Sequence, residues 1–298
     1  MIAAEKGAYF DEARSAEIVI DRNADCPDAR LAEIVAVVVR HLHAAVKEID
    51  PTQEEWLQAI AFLTRTGHMC NDWRQEFILL SDVLGVSMLV DAIANRKPSG
   101  ATQSTVLGPF HVADAPLLPN GADICLDGKG EPLLVRGRVT DPDGRPIAGA
   151  RLDVWQANDE GFYDVQQKGI QPDFNLRGVF ETDAEGRYWF RAAKPKFYPI
   201  PDDGPVGQLL RRLGRHPYRP AHLHFIVTAE DREALTTHIF VPDDPYIGSD
   251  PVFGVKESLI ADFVLRDDPA RAADLSLRNP FWEVEYDFVL APARAAAG

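Results

Sequence analysis

The sequence predicts a mainly β protein, in which an antiparallel β-sandwich follows an N-terminal helical domain. Two observations indicate this fold class. Apolar residues in the first hundred positions recur at steps of three and four, which is the spacing of one helix face. After residue 100, short β-rich runs alternate with turn residues, a pattern typical of antiparallel sandwiches and barrels. We therefore place a helical domain at residues 1–100 and a β-sandwich domain at residues 101–298.

Three helices are predicted in the first domain. The first covers residues 27–49, begins near Pro27 and ends at Asp50, which precedes a proline. The second covers about residues 54–66, and the third about residues 73–94. The middle of the third helix is apolar on more than one side, so we expect a partner subunit or the second half of the chain to cover it.

Eight strands are predicted in the second domain. The first two flank the turn sequence Asp141-Pro142-Asp143-Gly144 and are predicted to form a hairpin. The predicted strands cover residues 133–140, 148–156, 179–182, 187–191, 222–228, 236–241, 258–264 and 282–289.

Composition limits the classes of partner. The chain has 298 residues, 46% of them hydrophobic, which is enough for a sizeable core. Its formal net charge of -15 repels phosphate backbones, so we expect no nucleic-acid partner. The three cysteines lack CxxC spacing, which argues against a disulfide framework and favours a reducing cytoplasm. The first residues do not resemble a secretory leader, and no apolar stretch reaches the length of a membrane span.

The strongest functional signal is a pair of histidines in a predicted strand. His222 and His224 are two residues apart, so their side chains point to the same face and could hold a metal. Eight histidines produce such a pair by chance in roughly one chain in five, so two satisfied core histidines are an open alternative. A second pair, His41 and His43, lies in a predicted helix, where residues two apart do not face each other.

Two tyrosines in upstream turns complete a possible ligand set. Tyr163 follows a glycine and Tyr198 precedes a proline-rich turn. Together with the two imidazoles, their phenol oxygens would form a set that favours a hard ion such as Fe³⁺. Each residue also has a structural alternative. The tyrosines could be turn aromatics with hydrated hydroxyls, and Arg219 could pair with a surplus carboxylate.

The order of these residues resembles the intradiol ring-cleaving dioxygenases, non-haem ferric enzymes that open catechols between the two hydroxyls. The resemblance is carried by the motifs Val135-x-Gly137-x-Val139, Leu152-Asp153-Val154, Gly161-x-Tyr163, Tyr198 and Arg219-Pro-Ala-His222-Leu-His224. The helical first third resembles the linker and dimerisation domain of the catechol and hydroxyquinol branch. Residues 79–82, 104–110, 237–246 and 250–258 resemble the hydroxyquinol enzymes more than the catechol enzymes.

The resemblance implies a role for each matching position. One Fe³⁺ per subunit would be bound by Tyr163, Tyr198, His222 and His224, and Tyr198 would leave the metal and accept a proton from the substrate. Arg219 would stabilise negative charge on the ring. The residues expected to line the substrate pocket are Leu79, Asp82, Leu107, Gly108, Phe110, Ile200, Pro201 and Val252.

Asp82 is the most informative of the pocket residues. A carboxylate in an apolar wall could accept a hydrogen bond from the third hydroxyl of hydroxyquinol, which catechol lacks. The alternative is that Asp82 caps or pairs on a helix surface. Leu107 lies where an aromatic residue is common in this branch, which leaves room for a bulkier or halogenated ring.

The predicted function is the cleavage of hydroxyquinol (1,2,4-trihydroxybenzene) by O₂, giving 3-hydroxy-cis,cis-muconate, the enol form of maleylacetate. Two alternatives stay open: a catechol or chlorocatechol 1,2-dioxygenase, and a β-sandwich module that binds zinc or copper without turnover. The resemblance also implies a homodimer formed through the N-terminal helices, with a phospholipid often held between the subunits. We expect a cytoplasmic enzyme that is not an integral membrane protein.

Overall fold

A computed structural model describes residues 9–72 and 74–293. The chain divides into two compact units, Met1–Arg65 and Thr66–Gly298. The division into domains at residue 100 stays a prediction. Trp73, the predicted start of the third helix, lies outside the described residues.

The first unit is helical. It contains α1 (Ser15–Asp21), α2 (Ala29–Ile49) and most of α3 (Gln53–His68). The Asp28 side chain caps α2 by accepting a hydrogen bond from the Leu31 amide at 2.9 Å. Many apolar side chains of α2 and α3 are exposed in the single subunit: Leu31, Ile34, Val37, Val38, Leu42, Val46, Ile49, Trp56, Leu57, Ile60 and Leu63.

The single helix predicted at residues 73–94 is wrong, because the structure has two helices there. These are α4 (Glu76–Val83) and α5 (Val86–Ala94), and their axes are bent by 80°. Gly85 between them has a φ of 73°, a left-handed conformation that interrupts the helical hydrogen bonds. Within the described part of the chain, no single helix combines the length and apolar character of a membrane span; only this bent pair does so jointly.

The second unit also contains the strands. They are β1 (Pro132–Thr140), β2 (Arg151–Gln156), β3 (Arg177–Glu181), β4 (Arg187–Ala193), β5 (Tyr198–Pro199), β6 (Tyr218–Arg219), β7 (His222–Thr228), β8 (Leu235–Phe240), β9 (Phe263–Arg266), β10 (Phe281–Glu285) and β11 (Phe288–Val289). Two short helices lie between them, α6 (Pro205–Arg212) and α7 (Pro269–Asp274).

The strands form two main sheets and one small ribbon. In the first sheet the order is β11-β1-β10-β9, and β4 also pairs with β1. We call it the mixed sheet, because β10 and β11 run parallel to β1. The second, called the antiparallel sheet, has the order β3-β2-β7-β8. β5 and β6 pair only with each other and form the β5–β6 ribbon.

The hydrophobic core lies between the two main sheets. Phe180 of β3 stacks on Phe190 of β4 with ring centroids 4.8 Å apart, and Phe225 of β7 lies 6.4 Å from Phe190. Leu223, Phe225 and Val227 belong to this core, so the alternate residues of β7 point to the other face of the antiparallel sheet. His222 and His224 lie on that other face.

The predicted hairpin of β1 and β2 is wrong, although its turn is present. The Gly144 amide donates to the Asp141 carbonyl at 2.9 Å, but β1 belongs to the mixed sheet and β2 to the antiparallel sheet. After the turn, the Gly149 amide donates to the Thr182 carbonyl at 3.0 Å, and the Ala150 amide donates to the Thr182 hydroxyl at 2.8 Å. These bonds direct the chain to the end of β3 and away from β1.

Two further strand predictions are only partly correct. The strand predicted at residues 282–289 is divided into β10 and β11, because Tyr286 and Asp287 between them leave the ladder. The segment predicted at residues 258–264 begins with a 3₁₀ turn at Glu257–Leu259, and β9 starts only at Phe263.

Candidate metal centre

Two imidazoles of β7 form the centre of the candidate site. The Nε2 atoms of His222 and His224 are 3.0 Å apart, and the side chains are fully buried. Nδ1 of His222 lies 2.7 Å from the Pro220 carbonyl, so this nitrogen carries the proton and Nε2 presents a lone pair. The antiparallel sheet therefore aims His222 Nε2 at His224.

Both imidazoles are electrically neutral. Burial, reinforced by the charge of Arg219, lowers the pKa of His222 to about 3. Burial also lowers the pKa of His224 well below its ordinary value, and the neighbouring His222 and Arg219 lower it further. Neutral imidazole is the form that binds metals, so the protein holds this pair ready for a cation.

The two predicted tyrosines lie beside this pair. The Tyr163 hydroxyl is 2.8 Å from His224 Nε2, and the rings of Tyr163 and Tyr198 are perpendicular, with centroids 5.2 Å apart. Burial raises the pKa of Tyr163 well above its ordinary value, and the adjacent Tyr198 adds to this rise. Without a cation the Tyr163 phenol therefore stays protonated.

A close approach of the main chain brings the two tyrosines together. Gly161, two residues before Tyr163, has a φ of 85°, and a Cβ placed there would lie 2.8 Å from the Phe197 carbonyl. Phe197 is the residue before Tyr198, so the turn that carries one phenol rests directly on the strand that carries the other. Only glycine suits both the conformation and the contact.

Arg219 lies against both a phenol and an imidazole. It pairs with Tyr198 in the β5–β6 ribbon, and its Nη1 is 3.5 Å from the Tyr198 hydroxyl and 3.4 Å from His222 Nε2. Burial opposes its charge, but Asp250 and Tyr198 raise the pKa of Arg219 above its ordinary value. The guanidinium is therefore a fixed positive charge at the edge of the site.

Asp250 is a site residue that the sequence analysis missed. Its carboxylate accepts hydrogen bonds from Nε and Nη2 of Arg219 at 3.2 and 3.1 Å. The amides of Val252 and Gly254 donate to the same carboxylate at 3.2 and 3.0 Å. Arg219 therefore pairs with a carboxylate, as the structural alternative predicted, and it also lies at the candidate site.

His238 is a second missed residue. It lies opposite His224 on β8 and is fully buried, and it forms with His222 and His224 a group of three histidines that could hold a metal. Its ring stacks on His222 with centroids 4.5 Å apart and planes 19° apart. Nitrogen lone pairs lie in the ring planes, so two rings stacked face to face direct their lone pairs side by side more than at one point. The geometry favours the phenols over His238 as partners of the histidine pair.

The predicted pocket residues divide into those near the ligand set and those further out. Phe110 stacks on Tyr163 with centroids 4.5 Å apart, and a Cβ at Gly108 would lie 3.0 Å from the His224 ring. Ile200 and Val252 are buried in one apolar cluster, against which Leu79 packs. Leu107 and Pro201 are exposed.

Asp82 is half-buried at the end of α4. Burial raises the pKa of its carboxyl group, and the hydroxyl of Ser87 and the charge of Arg219 act in the opposite direction. Both a hydroxyl of α5 and the guanidinium at the candidate site therefore act on this carboxyl group. Its place in the substrate pocket stays a prediction.

The donor set fits a hard cation. Two neutral imidazoles and two phenols are buried together, and the contacts between neighbouring donor atoms are 2.8 and 3.0 Å. Donors that bind one ion with bonds of about 2 Å are roughly 3 Å apart. Phenol oxygens favour a hard, highly charged ion over metals that prefer thiolates.

Known proteins are similar to this chain over most of its length. Residues 107–292 match the family described as "Dioxygenase", and residues 28–102 match "Catechol dioxygenase N terminus". The hydroxyquinol 1,2-dioxygenase of Rhizobium sp. is 73% identical over 95% of this chain and 96% of the relative. The 6-chlorohydroxyquinol 1,2-dioxygenase of Cupriavidus pinatubonensis is 50% identical over 95% and 98%. The solved structure of hydroxyquinol 1,2-dioxygenase from Pseudomonas putida DLL-E4 has a TM-score of 0.90 at 45% identity, over 95% and 99%.

Proposed function

Because the chain belongs to the intradiol ring-cleaving dioxygenases, in the hydroxyquinol 1,2-dioxygenase branch, we propose that it cleaves hydroxyquinol with O₂. The bond that breaks joins two adjacent hydroxylated carbons, and the product is 3-hydroxy-cis,cis-muconate, the enol form of maleylacetate. The observation that carries this proposal is the convergence of two buried phenols on two neutral imidazoles in one centre.

We assign one Fe³⁺ per subunit to Tyr163, Tyr198, His222 and His224. The support is the composition of the donor set, the lone pair that the Pro220 carbonyl leaves on His222 Nε2, and the burial of all four side chains. When bound, the ion would supply Lewis-acid stabilisation of the diol dianion and make the ring reactive towards O₂.

The two tyrosines differ in what surrounds their hydroxyls. The Tyr163 hydroxyl is held by His224 at 2.8 Å, whereas the Tyr198 hydroxyl lies 3.5 Å from the guanidinium of Arg219. We therefore assign proton acceptance from the substrate to the Tyr198 oxygen and a resident role to Tyr163. Arg219 is placed to stabilise negative charge that develops on the bound ring, a preorganised electrostatic contribution.

Asp82 is our candidate for recognition of the third hydroxyl. Asp82 is half-buried on α4, whose residues Leu79, Leu80 and Val83 belong to or pack against one apolar cluster, and the charge of Arg219 acts on its carboxyl group. A substrate hydroxyl that donates to this carboxylate compensates for its burial, and catechol offers no such donor.

A chlorinated hydroxyquinol is the second candidate substrate. A relative that is 50% identical is a 6-chlorohydroxyquinol 1,2-dioxygenase. Leu107 is exposed and lacks the ring that is common at this position, so it leaves room for a substituent. Catechol is the third candidate, and it differs by the hydroxyl that we assign to Asp82.

We also propose a homodimer formed through the N-terminal helices, with a phospholipid as a further occupant of their apolar surface. The support is the row of exposed apolar side chains on α2 and α3, including Leu42 at 59% and Ile49 at 70% exposure. Light scattering of the native protein, and of Leu42→Glu as a monomeric variant, tests the dimer.

The three free cysteines and the acidic composition agree with the expected cytoplasmic location.

The function is tested by combining metal analysis, a visible spectrum and an oxygen electrode. We expect about one iron per subunit, a phenolate-to-iron charge-transfer band, and the highest kcat/KM on hydroxyquinol when it is compared with catechol and 4-chlorocatechol. A protein purified without chelator that lacks iron and consumes no oxygen with hydroxyquinol would contradict the proposal and support a non-catalytic metal-binding module.

A further inference from the structure

A buried ion pair lies next to the candidate centre and has no role in the proposed chemistry. It joins Arg177 of β3 to Asp164, the residue that follows Tyr163. Nε and Nη2 of Arg177 lie 2.7 and 2.6 Å from Oδ1 of Asp164, and the two side chains are 1% and 8% exposed. The removal of two charges from water costs free energy that their attraction often fails to offset, so a buried pair is weak evidence for stability.

Asp164 fixes the main chain on the far side of Tyr163. Its second carboxylate oxygen accepts a hydrogen bond from the Phe174 amide at 3.1 Å. The Tyr163 amide itself donates to the Gln166 side chain at 2.9 Å. The turn that carries this phenol is therefore tied to the antiparallel sheet by the ion pair and closed upon itself by Gln166.

One aromatic residue, Trp155, lies between Arg177 and the histidine pair in the antiparallel sheet. In the antiparallel sheet it lies opposite Trp155 of β2, and Trp155 lies opposite His224 of β7. The Trp155 and His224 rings are stacked, with centroids 4.6 Å apart and planes 15° apart. The three side chains form one row across the sheet, which ends at a ligand position.

The chain enters this row through two strained residues. Phe174 and Leu176 have φ values of 60° and 58°, in the left-handed region that non-glycine residues rarely adopt. Such conformations persist where the surrounding structure fixes them, and they cluster near functional sites. Arg177 follows directly, and its Nη1 has no hydrogen-bond partner among the described residues.

We propose that the Arg177–Asp164 ion pair is a positioning device for two metal ligands, Tyr163 through its adjoining turn and His224 through Trp155. This inference rests on the proposed iron centre. Arg177 and Asp164 are positioning residues that do not contact the substrate. Outer-shell partners of this kind typically change metal affinity by roughly 10–100-fold.

The test uses the iron-loaded protein and the variant Arg177→Met combined with Asp164→Asn. The double variant removes both charges at once, so it leaves no unpaired buried charge that could prevent folding. We expect its iron affinity, measured by competition with a chelator, to fall by at least about tenfold. The charge-transfer band should shift from its native position, because the turn that carries the Tyr163 phenol loses its tie to the antiparallel sheet.

The matched control is Glu283→Gln in the mixed sheet. Glu283 is 3% exposed and accepts hydrogen bonds from Arg136, Arg266 and Arg271, so it is a buried ionic cluster without a metal ligand. We expect this variant to lose thermal stability while its iron affinity and visible band stay at the native values.

The outcomes separate the inference from the proposed function. If the double variant binds iron as tightly as the native protein and keeps the same band, the positioning role is wrong. If Glu283→Gln loses iron to the same extent, the effect is general destabilisation, and the positioning role is again wrong. If the native protein itself shows neither an iron band nor oxygen uptake, the proposed function fails first.

Discussion

The two sheets of the sandwich bury polar side chains in opposite ways. In the mixed sheet, the Glu283 carboxylate receives hydrogen bonds from three arginines at 2.5 to 3.0 Å. On the antiparallel sheet, the buried imidazoles of His222 and His224 turn their Nε2 atoms towards each other at 3.0 Å, so two acceptor nitrogens face one another.

This difference separates a structural cluster from a functional one. Burial of a polar group without a partner costs about 1–3 kcal/mol, so a folded protein normally satisfies such groups. The mixed sheet obeys this rule, because both oxygens of the Glu283 carboxylate accept hydrogen bonds from arginines. On the antiparallel sheet, acceptor nitrogens collect beside phenols, an arrangement that a shared cation would stabilise.

The largest expected effect comes from the removal of a ring nitrogen from the buried pair His222 and His224. His222→Ala takes away the nitrogen whose tautomer is fixed by Pro220. Iron content should fall to background and oxygen uptake by more than about 100-fold, since a direct ligand matters more than an outer-shell partner. The exposed His41, changed to Ala, serves as the control and should keep both values. Full iron occupancy in His222→Ala would contradict the contrast between a functional cluster on the antiparallel sheet and a structural one in the mixed sheet.

The second test removes a charge beside the cluster and leaves the donor atoms in place. Arg219→Met should lower kcat on the order of 10²–10³-fold, the cost of losing one preorganised group that stabilises developing charge. Iron content, measured by elemental analysis, should stay near the native value. If kcat is unchanged, Arg219 serves only as the partner of Asp250.

The third test moves to the pocket wall. Asp82→Asn should lower kcat/KM for hydroxyquinol relative to catechol by roughly 10–100-fold, because a hydrogen bond to a charged group contributes about 1.5–3 kcal/mol. Asp203→Asn is a suitable control, since Asp203 is an exposed carboxylate in the same unit. An unchanged ratio would remove Asp82 from substrate recognition.

The smallest effect on activity is expected at Glu283, whose carboxylate is satisfied by its three arginine partners. Burial raises the pKa of Glu283, but Arg271 and Arg266 lower it more strongly, so it falls from 4.5 to about 2. A lowered folded-state pKa stabilises the protein above pH 4.5, and this contribution disappears as pH falls towards 2. Denaturant unfolding should show that Glu283→Gln loses about 1–3 kcal/mol at neutral pH and depends less on pH in this window. Equal pH dependence in both proteins would show that another group dominates.

Local patterns in the sequence predicted the elements better than their pairing. The periodicity of α2 and the alternation of β7 depend on neighbouring residues, and both helix and strand agree with the prediction. The pairing of β2 with β3 depends on hydrogen bonds that Thr182 makes with Gly149 and Ala150, more than thirty residues away. The turn after β1 gave no indication of this change of sheet.

The same limit applies to the site. The sequence motifs identified the two phenols and two imidazoles that the structure brings together, although their role as ligands stays a proposal. His238 was missed because only the register of β7 and β8 places it opposite His224. Asp250 was missed because its contact with Arg219 of β6 joins residues 31 positions apart in sequence. Its one weak signal was its place in residues 250–258, which resemble the hydroxyquinol enzymes.

The contact between Gly161 and the Phe197 carbonyl has a consequence for how this enzyme can diversify. The separation of the two phenols is set in part by a main-chain contact, which does not depend on the more distant side chains of the predicted pocket. Residues around the rim can be exchanged to admit a different ring while the reactive machinery keeps its dimensions. A side chain introduced at this one glycine would disturb both phenols together.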